Sequence, residues 1–389
     1  MDKINFDKVV DRSRSSSVKW DLTENIFGTA DVLPMWVADM DFQPPKAVCD
    51  ALKDRIDHGV FGYTFVPFTV TEALQHWLKN RHGWEIEKSS VLYSEGVVPS
   101  ISTAIRAFTE KGDKVLVHSP VYTPFFNMVK NNDRTLVTSK LFYENNRYEL
   151  DFEDFEEKLK DGVKLFILCN PHNPGGRVWT KLELEKLGDL CVKHNCLIVS
   201  DEIHSDLVFK PNVHTPFASI KEEFMNITAT FVAPSKTFNL AGLQASAAII
   251  QNKELKDKFK EIQQQQGFFT LNAFAVAGME AAYRGGEEWL ENLLVYLHEN
   301  MEIATEFMKE NLPALKPMQA DATYLLWIDC KELGLSDEEI KEKLLYKGKL
   351  ALEPGTKYGE GGEGFVRMNL ACPRETLLEG LDRLKTAFS

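Results

Sequence analysis

The chain has 389 residues, 44% of them hydrophobic, and a formal net charge of −13. That length supports a large core and about two or three domains. The acidic balance disfavours nucleic acid and anionic membrane as main partners, since both need basic footprints.

The first residues, MDKINFDKVVDRSRSSS, lack the apolar stretch of a signal peptide, and no later run is long enough to span a bilayer. A cytoplasmic location is therefore expected, and the six scattered cysteines read as free thiols. Along the chain, apolar β-rich runs alternate with amphipathic ones. A helical pattern follows SEGVVPS at 94–100. Candidate strands are Lys114–Ser119, 164–170, 196–203, 227–233 and 245–250. Residues 181–194 carry apolar side chains at helical spacing. Such alternation implies crossover connections and a mostly parallel sheet covered by helices, an α/β fold.

Beyond residue 285 the pattern changes. A long helix is predicted over Glu287–Asn311, a strand at TYLLWID (323–329), a helix from Ser336, a strand at FVRMNLA (365–371) and a last helix from Pro373. The division expected is a large domain at 45–285 and a smaller α+β domain at 286–389. The N-terminal segment, 1–44, is placed beside the small domain, although pattern alone does not dictate this.

Two motifs fail on context. GEGGEG (359–364) matches a dinucleotide fingerprint but does not lie between a strand and a helix. Cys191, His194 and Cys196 lack a second ligand pair for zinc and read as inert thiols and a surface histidine. Four other stretches point to one chemistry. SEGVVPS offers backbone N–H groups at a helix start, a site for an anion. NPHNPGG (170–176) follows a buried strand. SDEIHSD (200–206) places an acid at a strand's C-terminal end, where ligands bind in open α/β sheets. SKTF, around Lys236, follows another strand. Taken singly, each has a plainer reading as a turn, a helix cap or a solvated loop.

Together, in this order, the four resemble the fold type I pyridoxal-phosphate enzymes of the aspartate aminotransferase superfamily, over nearly the whole chain. MWVADMDF (35–42), NPHNPGGRVW, SDEIHSDL and APSKTFNLAGLQ resemble the MalY/PatB-type C–S lyases, often called cystathionine β-lyases. The resemblance implies a pyridoxal 5′-phosphate cofactor in a Schiff base with Lys236, which needs a depressed lysine pKa. It puts Asp201 at the pyridine nitrogen, where a carboxylate keeps the ring an electron sink. It puts Asn173 at the phenolate oxygen, Tyr122 on the ring face, and Gly96, Val97 and Ser235 at the phosphate. Tyr63 would reach the phosphate of a second subunit, so the active site would be shared in a homodimer. Arg367 would grip the substrate α-carboxylate with two parallel hydrogen bonds. Without these neighbours, Tyr122 reads as a core tyrosine; the plainer reading of Arg367, a surface arginine, is weakened by the apolar residues around it.

The sequence departs from the aminotransferase pattern at two positions. Gln244 stands where that pattern has an arginine beside the phosphate, and His204 where it has a tyrosine. Both fit the lyase branch. The resemblance also implies a cis Asn173–Pro174 peptide. The expected activity is β-elimination from a sulfur-bearing L-amino acid, giving thiol, pyruvate and ammonia. An aminotransferase of the same fold is the alternative, and a regulatory cofactor-binding protein a third reading. The expected partners are a small amino-acid substrate and a second copy of the chain, with no nucleic acid and no membrane.

Overall fold

In the computed structural model, which describes residues 4–389, two sheets organise the chain. The larger has seven strands in the order Val91–Ser94, Ser246–Ile249, Thr228–Val232, Leu197–Asp201, Val163–Cys169, Lys114–Ser119 and Thr135–Lys140. The last five pair in parallel, whereas Ser246–Ile249 runs antiparallel to both its neighbours. VKLFILC, LIVSD and TATFV at the centre are buried almost throughout, as strands covered on both faces must be. Their alternating side chains feed two cores. Leu165, Ile167 and Val199 pack with Ile101 and Ile105 of the helix Val97–Phe108 and with Phe259 of Lys253–Gln265. Leu116, Phe166 and Ile198 pack with Leu184 and Leu187 of the helix Lys181–Lys193 on the other side. That helix starts where a Thr180–Glu183 capping box satisfies its first N–H groups.

The predicted strands lie within a residue or two of the observed ones. The orientation of Ser246–Ile249 is new, and so are the two edge strands. Thr135–Lys140, TLVTSK, is half-exposed and polar, so it carries little apolar signal.

The smaller sheet is antiparallel, in the order Lys316–Pro317, Leu325–Asp329, Phe365–Asn369, Glu353–Pro354. The helices Glu287–Asn311 and Arg374–Phe388 share a core with it, through Leu293, Leu297, Leu377 and Leu381 against Leu326, Ile328 and Met368. The N-terminal segment joins this part of the molecule. Leu33–Pro34 pairs in parallel with Leu350–Ala351, and Asn369 N–H donates to the Met35 carbonyl at 2.9 Å. Among the described residues, no helix is long and apolar enough to cross a membrane.

Residues 36–41 then run as a strap between the two sheets. Asn369 Nδ2 donates to the Val37 and Asp39 carbonyls at 2.5 and 2.6 Å. Asn239 holds the Met40 N–H and the Met40 and Phe42 carbonyls. Asp41 anchors the strap. It accepts from Lys19 Nζ at 2.7 Å, Arg12 Nη1 at 2.8 Å and Trp20 Nε1 at 3.0 Å. Burial pushes the Asp41 carboxyl up, but Lys19, Trp20 and Arg12 outweigh it and hold it below its ordinary value.

Lys19 is fully buried. Asp41→Ala therefore strands an ammonium in the core, a loss of about 3–5 kcal/mol. A fall of that size in unfolding free energy, read from the urea midpoint, is expected; an unchanged midpoint contradicts the anchoring role.

Candidate active site

The loops that leave the parallel strands at their C-terminal ends converge on one cleft of about 650 Å³. This is where an open α/β sheet binds ligands, and the size suits a small molecule. Gly96, Val97, Tyr122, Asn173, Asp201, His204, Ser235, Lys236 and Arg367 all line it, with Gln244 beside them. Tyr63 stands apart: it is fully exposed and lines no part of this chain's cleft.

Lys236 sits on a single helical turn, Pro234–Thr237, opened by proline after the strand Thr228–Val232. Thr237 Oγ1 pins that turn by donating to Asp206 Oδ2 at 2.8 Å. Asp206 also accepts from Trp77 Nε1 and contacts Arg81 and His82. Lys236 Nζ donates to the Ala38 carbonyl of the strap at 2.6 Å. Burial lowers its pKa, and Arg367 adds to this against the opposing pull of Asp39 and Asp201; the result is about 8.

Asp201 ends the strand Leu197–Asp201 and accepts from the Ile203 N–H at 3.1 Å. Burial pushes its carboxyl up to about 7; Ile203 and Lys236 pull it down, while Glu202 adds to the rise. No ion pair reaches it among the described residues. Glu202 points away, tied to Ser200, to the Phe217 N–H and to His214 at 2.9 Å. His204 is buried and neutral. Burial first, then Lys236 and Arg367, lower its pKa to about 3, and its Nδ1 has no hydrogen-bond partner.

Asn173 belongs to the loop 170–176, whose bonds Asn170–Pro171 and Asn173–Pro174 are cis. The loop packs against the smaller sheet's lead-in: Asp321 and Ala322 N–H both donate to the Gly176 carbonyl at 2.9 Å. Gly176 has φ +65°, and a Cβ there would lie 2.9 Å from the Ala322 carbonyl, so glycine is required. Arg367, on Phe365–Asn369, donates to Asn173 Oδ1 at 3.0 Å and to the Trp36 carbonyl at 2.8 Å. It is buried, its Nε is unpartnered, and it has no ion pair among the described residues. Tyr122 stands edge-on to Phe125, and burial, with Asp201, pushes its hydroxyl up to about 12.

Gly96 precedes the helix Val97–Phe108, whose first intrahelical bond is Ser100 N–H to the Gly96 carbonyl. The N–H groups of Val97 and Val98 thus have no acceptor within the helix. Sequence reasoning missed Tyr324, whose hydroxyl donates to the same Ala38 carbonyl as Lys236, at 2.9 Å. Its only signal was its place at the start of an apolar run.

The chain's residues 30–384 match the family model described as aminotransferase class I and II. The chain belongs to this family. Cystathionine beta-lyase PatB of Bacillus subtilis (strain 168) is 52% identical over 99% of this chain and 100% of its own. Protein MalY of Escherichia coli (strain K12) is 34% identical over 98% of each. Cystalysin from Treponema denticola, whose crystal structure contains pyridoxal 5′-phosphate, superposes with a TM-score of 0.96 at 35% identity over 98% of each chain. The motifs therefore sit within the MalY/PatB-type branch of the family.

Two outcomes follow from the electrostatics. In the cofactor-free protein, amine-reactive labelling of Lys236, followed by peptide mass spectrometry, is half-maximal near pH 8. Arg367→Met moves that midpoint up by removing one lowering charge. Asp201, with its pKa raised from 3.8 to about 7, contributes stability below 3.8 that is lost as pH rises through 7. Asp201→Asn mimics the protonated form, so the Tm of the cofactor-free variant gains on the parent as pH rises across that window. A pH-independent difference counts against it.

Proposed function

We propose that this chain is a pyridoxal-phosphate-dependent C–S lyase that eliminates a thiol from the β-carbon of a sulfur-bearing L-amino acid. The observation that carries this reading is the trio of Lys236, Asp201 and Arg367, set in one cleft with no ion pair among them. The names of the relatives support it.

The residues present fit the cofactor. Asp201, a buried carboxylate lacking a cation, suits a protonated pyridine nitrogen. The start of Val97–Phe108, with Gly96 and Ser235, suits a phosphate. Asn173 suits the phenolate oxygen, Tyr122 the ring face and Lys236 the aldehyde carbon. Bound there, pyridoxal phosphate supplies the electron sink that makes the substrate's Cα–H acidic.

The chain's own groups do the rest. Arg367 binds the α-carboxylate and, with the strap, fixes the direction of the Cα–H bond. Lys236, whose pKa is lowered to about 8, takes the proton from Cα as its neutral amine. The Cβ–S bond then breaks with its electron pair on sulfur. Lys236, now an ammonium, lies in the same cleft to return a proton to the departing thiolate. The released 2-aminoacrylate takes up water to give pyruvate and ammonia. Neutral His204 adds no competing charge beside the lysine.

The active unit in this reading is a homodimer. Val60, Phe61, Tyr63, Phe65 and Phe269 are apolar and more than half exposed, the character of a subunit interface. Tyr63 then reaches the partner's phosphate site. This supplies a donor where Gln244 replaces an arginine.

L-Cystathionine supplied without any 2-oxo acid should yield pyruvate and thiol in equal amounts. Amino transfer appearing only when an acceptor is added moves the assignment to an aminotransferase. Lys236→Ala should lose at least about 10²–10⁴ in kcat. Mixing inactive Lys236→Ala subunits with inactive Tyr63→Ala subunits should restore activity, since the hybrid contains one intact site; no recovery after subunit exchange rules out sharing.

A further inference from the structure

Glu353 and Arg367 lie directly opposite each other on adjacent antiparallel strands. Their side chains therefore project from the same face of the smaller sheet, at a spacing where opposite charges normally join. Here they do not. Both line the cleft, but Arg367 spends its Nη groups on neutral oxygens, Asn173 Oδ1 and the Trp36 carbonyl. Glu353 pairs instead with Lys357, Nζ to Oε1 at 2.5 Å. The carboxylate is the inner partner, its side chain 10% exposed, and the ammonium the outer one at 46%.

The turn that carries Lys357 is fixed from below. Thr123 Oγ1 donates to the Lys357 carbonyl at 2.6 Å, and Val121 N–H to the Tyr358 carbonyl at 2.9 Å. Lys357 thus stays within reach of Glu353, while the Arg367 guanidinium lies over the Tyr358 ring, 5.3 Å from its centroid.

We infer that Lys357 is a positioning residue for substrate binding: it holds Glu353 away from Arg367, so that the guanidinium stays free for the substrate's α-carboxylate. This role rests on Arg367 being the carboxylate grip proposed above. A buried carboxylate must be paired or neutralised. Without Lys357, the cation directly opposite Glu353 across the strand pair is Arg367. Glu353 then becomes a tethered competitor of the substrate carboxylate, present at high effective concentration. The loss falls on binding, because proton transfer at Cα belongs to Lys236. A second consequence separates this from a merely structural role. An Arg367 neutralised by Glu353 depresses Lys236 less, so the labelling midpoint of Lys236 rises.

Two quantities test it. The first is the Kd of L-alanine, which has no leaving group on Cβ, read from the absorbance change of the cofactor-loaded enzyme. The second is the pH midpoint of Lys236 labelling in the cofactor-free protein. Lys357→Met should weaken L-alanine binding about tenfold and raise the midpoint, while Lys357→Arg keeps both near the parent. Adding Glu353→Gln to Lys357→Met removes the competitor and should return Kd to within about twofold of the parent. An unchanged Kd in Lys357→Met overturns the inference. So does a double variant as weak as the single one, since Lys357 would then be acting on the ligand directly. Arg367→Met is the control. If it binds L-alanine as tightly as the parent, the grip itself fails and Lys357's role fails with it. If it binds weakly, the grip stands and the Lys357 variants alone decide.

Discussion

The structure depends on keeping three ionisable groups in one cleft from neutralising one another. Lys236 donates to a carbonyl, Arg367 to an amide oxygen and a carbonyl, and Asp201 accepts from a backbone N–H. Each is held by a neutral dipole, so its charge remains free for a ligand. Around them, other carboxylates have partners of their own: Asp206 contacts Arg81 and His82, Glu202 contacts His214, Asp41 pairs with Lys19 and Arg12, and Glu353 with Lys357. A buried charge without a counter-charge costs stability, which is why the group with the clearest penalty, Asp201, has its pKa raised to about 7. A cation bound at that position removes the penalty.

The strap is how distant parts of the sequence share this arrangement. Its carbonyls are used in turn: Trp36 by Arg367, Val37 and Asp39 by Asn369, Ala38 by Lys236 and Tyr324, Met40 by Asn239 and Arg12. The first pair of donors comes from the smaller sheet, and Lys236 and Asn239 follow the strand Thr228–Val232 of the larger one. A shift of this segment therefore moves Arg367 and Lys236 together. Asp41 sets its position through a buried ion cluster, which fixes direction as well as contact.

Much of this was legible in the sequence because two signals coincide. Apolar runs mark the central strands, and the polar motifs begin where those runs end, so Asp201, Asn173 and Lys236 fall at strand exits whatever the exact boundaries. What was not legible has a common cause. Ala38 acts through its backbone oxygen, which no side-chain pattern encodes. Glu353 matters through strand register, which is set by pairing across the sheet, and Tyr324 through a contact with the distant Ala38. The direction of Ser246–Ile249 is invisible because a short buried run reads alike in either orientation. Within SDEIHSD, Glu202 and Asp206 look as eligible as Asp201. Only the fold shows that they turn away, one to His214 and one to the Lys236 turn. Tyr63, exposed in this chain, has a role only if another chain supplies the rest of its site.

In the proposed elimination, the chemistry after proton removal turns on matched acidities. A thiol of the cysteine type has a pKa of about 8.5, and Lys236 lies near 8. Proton transfer between the lysine and a departing thiolate is thus close to balanced, the condition under which one group serves first as base and then as acid. Burial and Arg367 bring the lysine to that value. A positive His204 would push it lower still and add a second acid to the cleft, but burial keeps that imidazole neutral. Gln244, in place of an arginine, withholds another positive charge from the cleft. Both departures from the aminotransferase pattern thus leave Lys236 tuned by its burial and by Arg367.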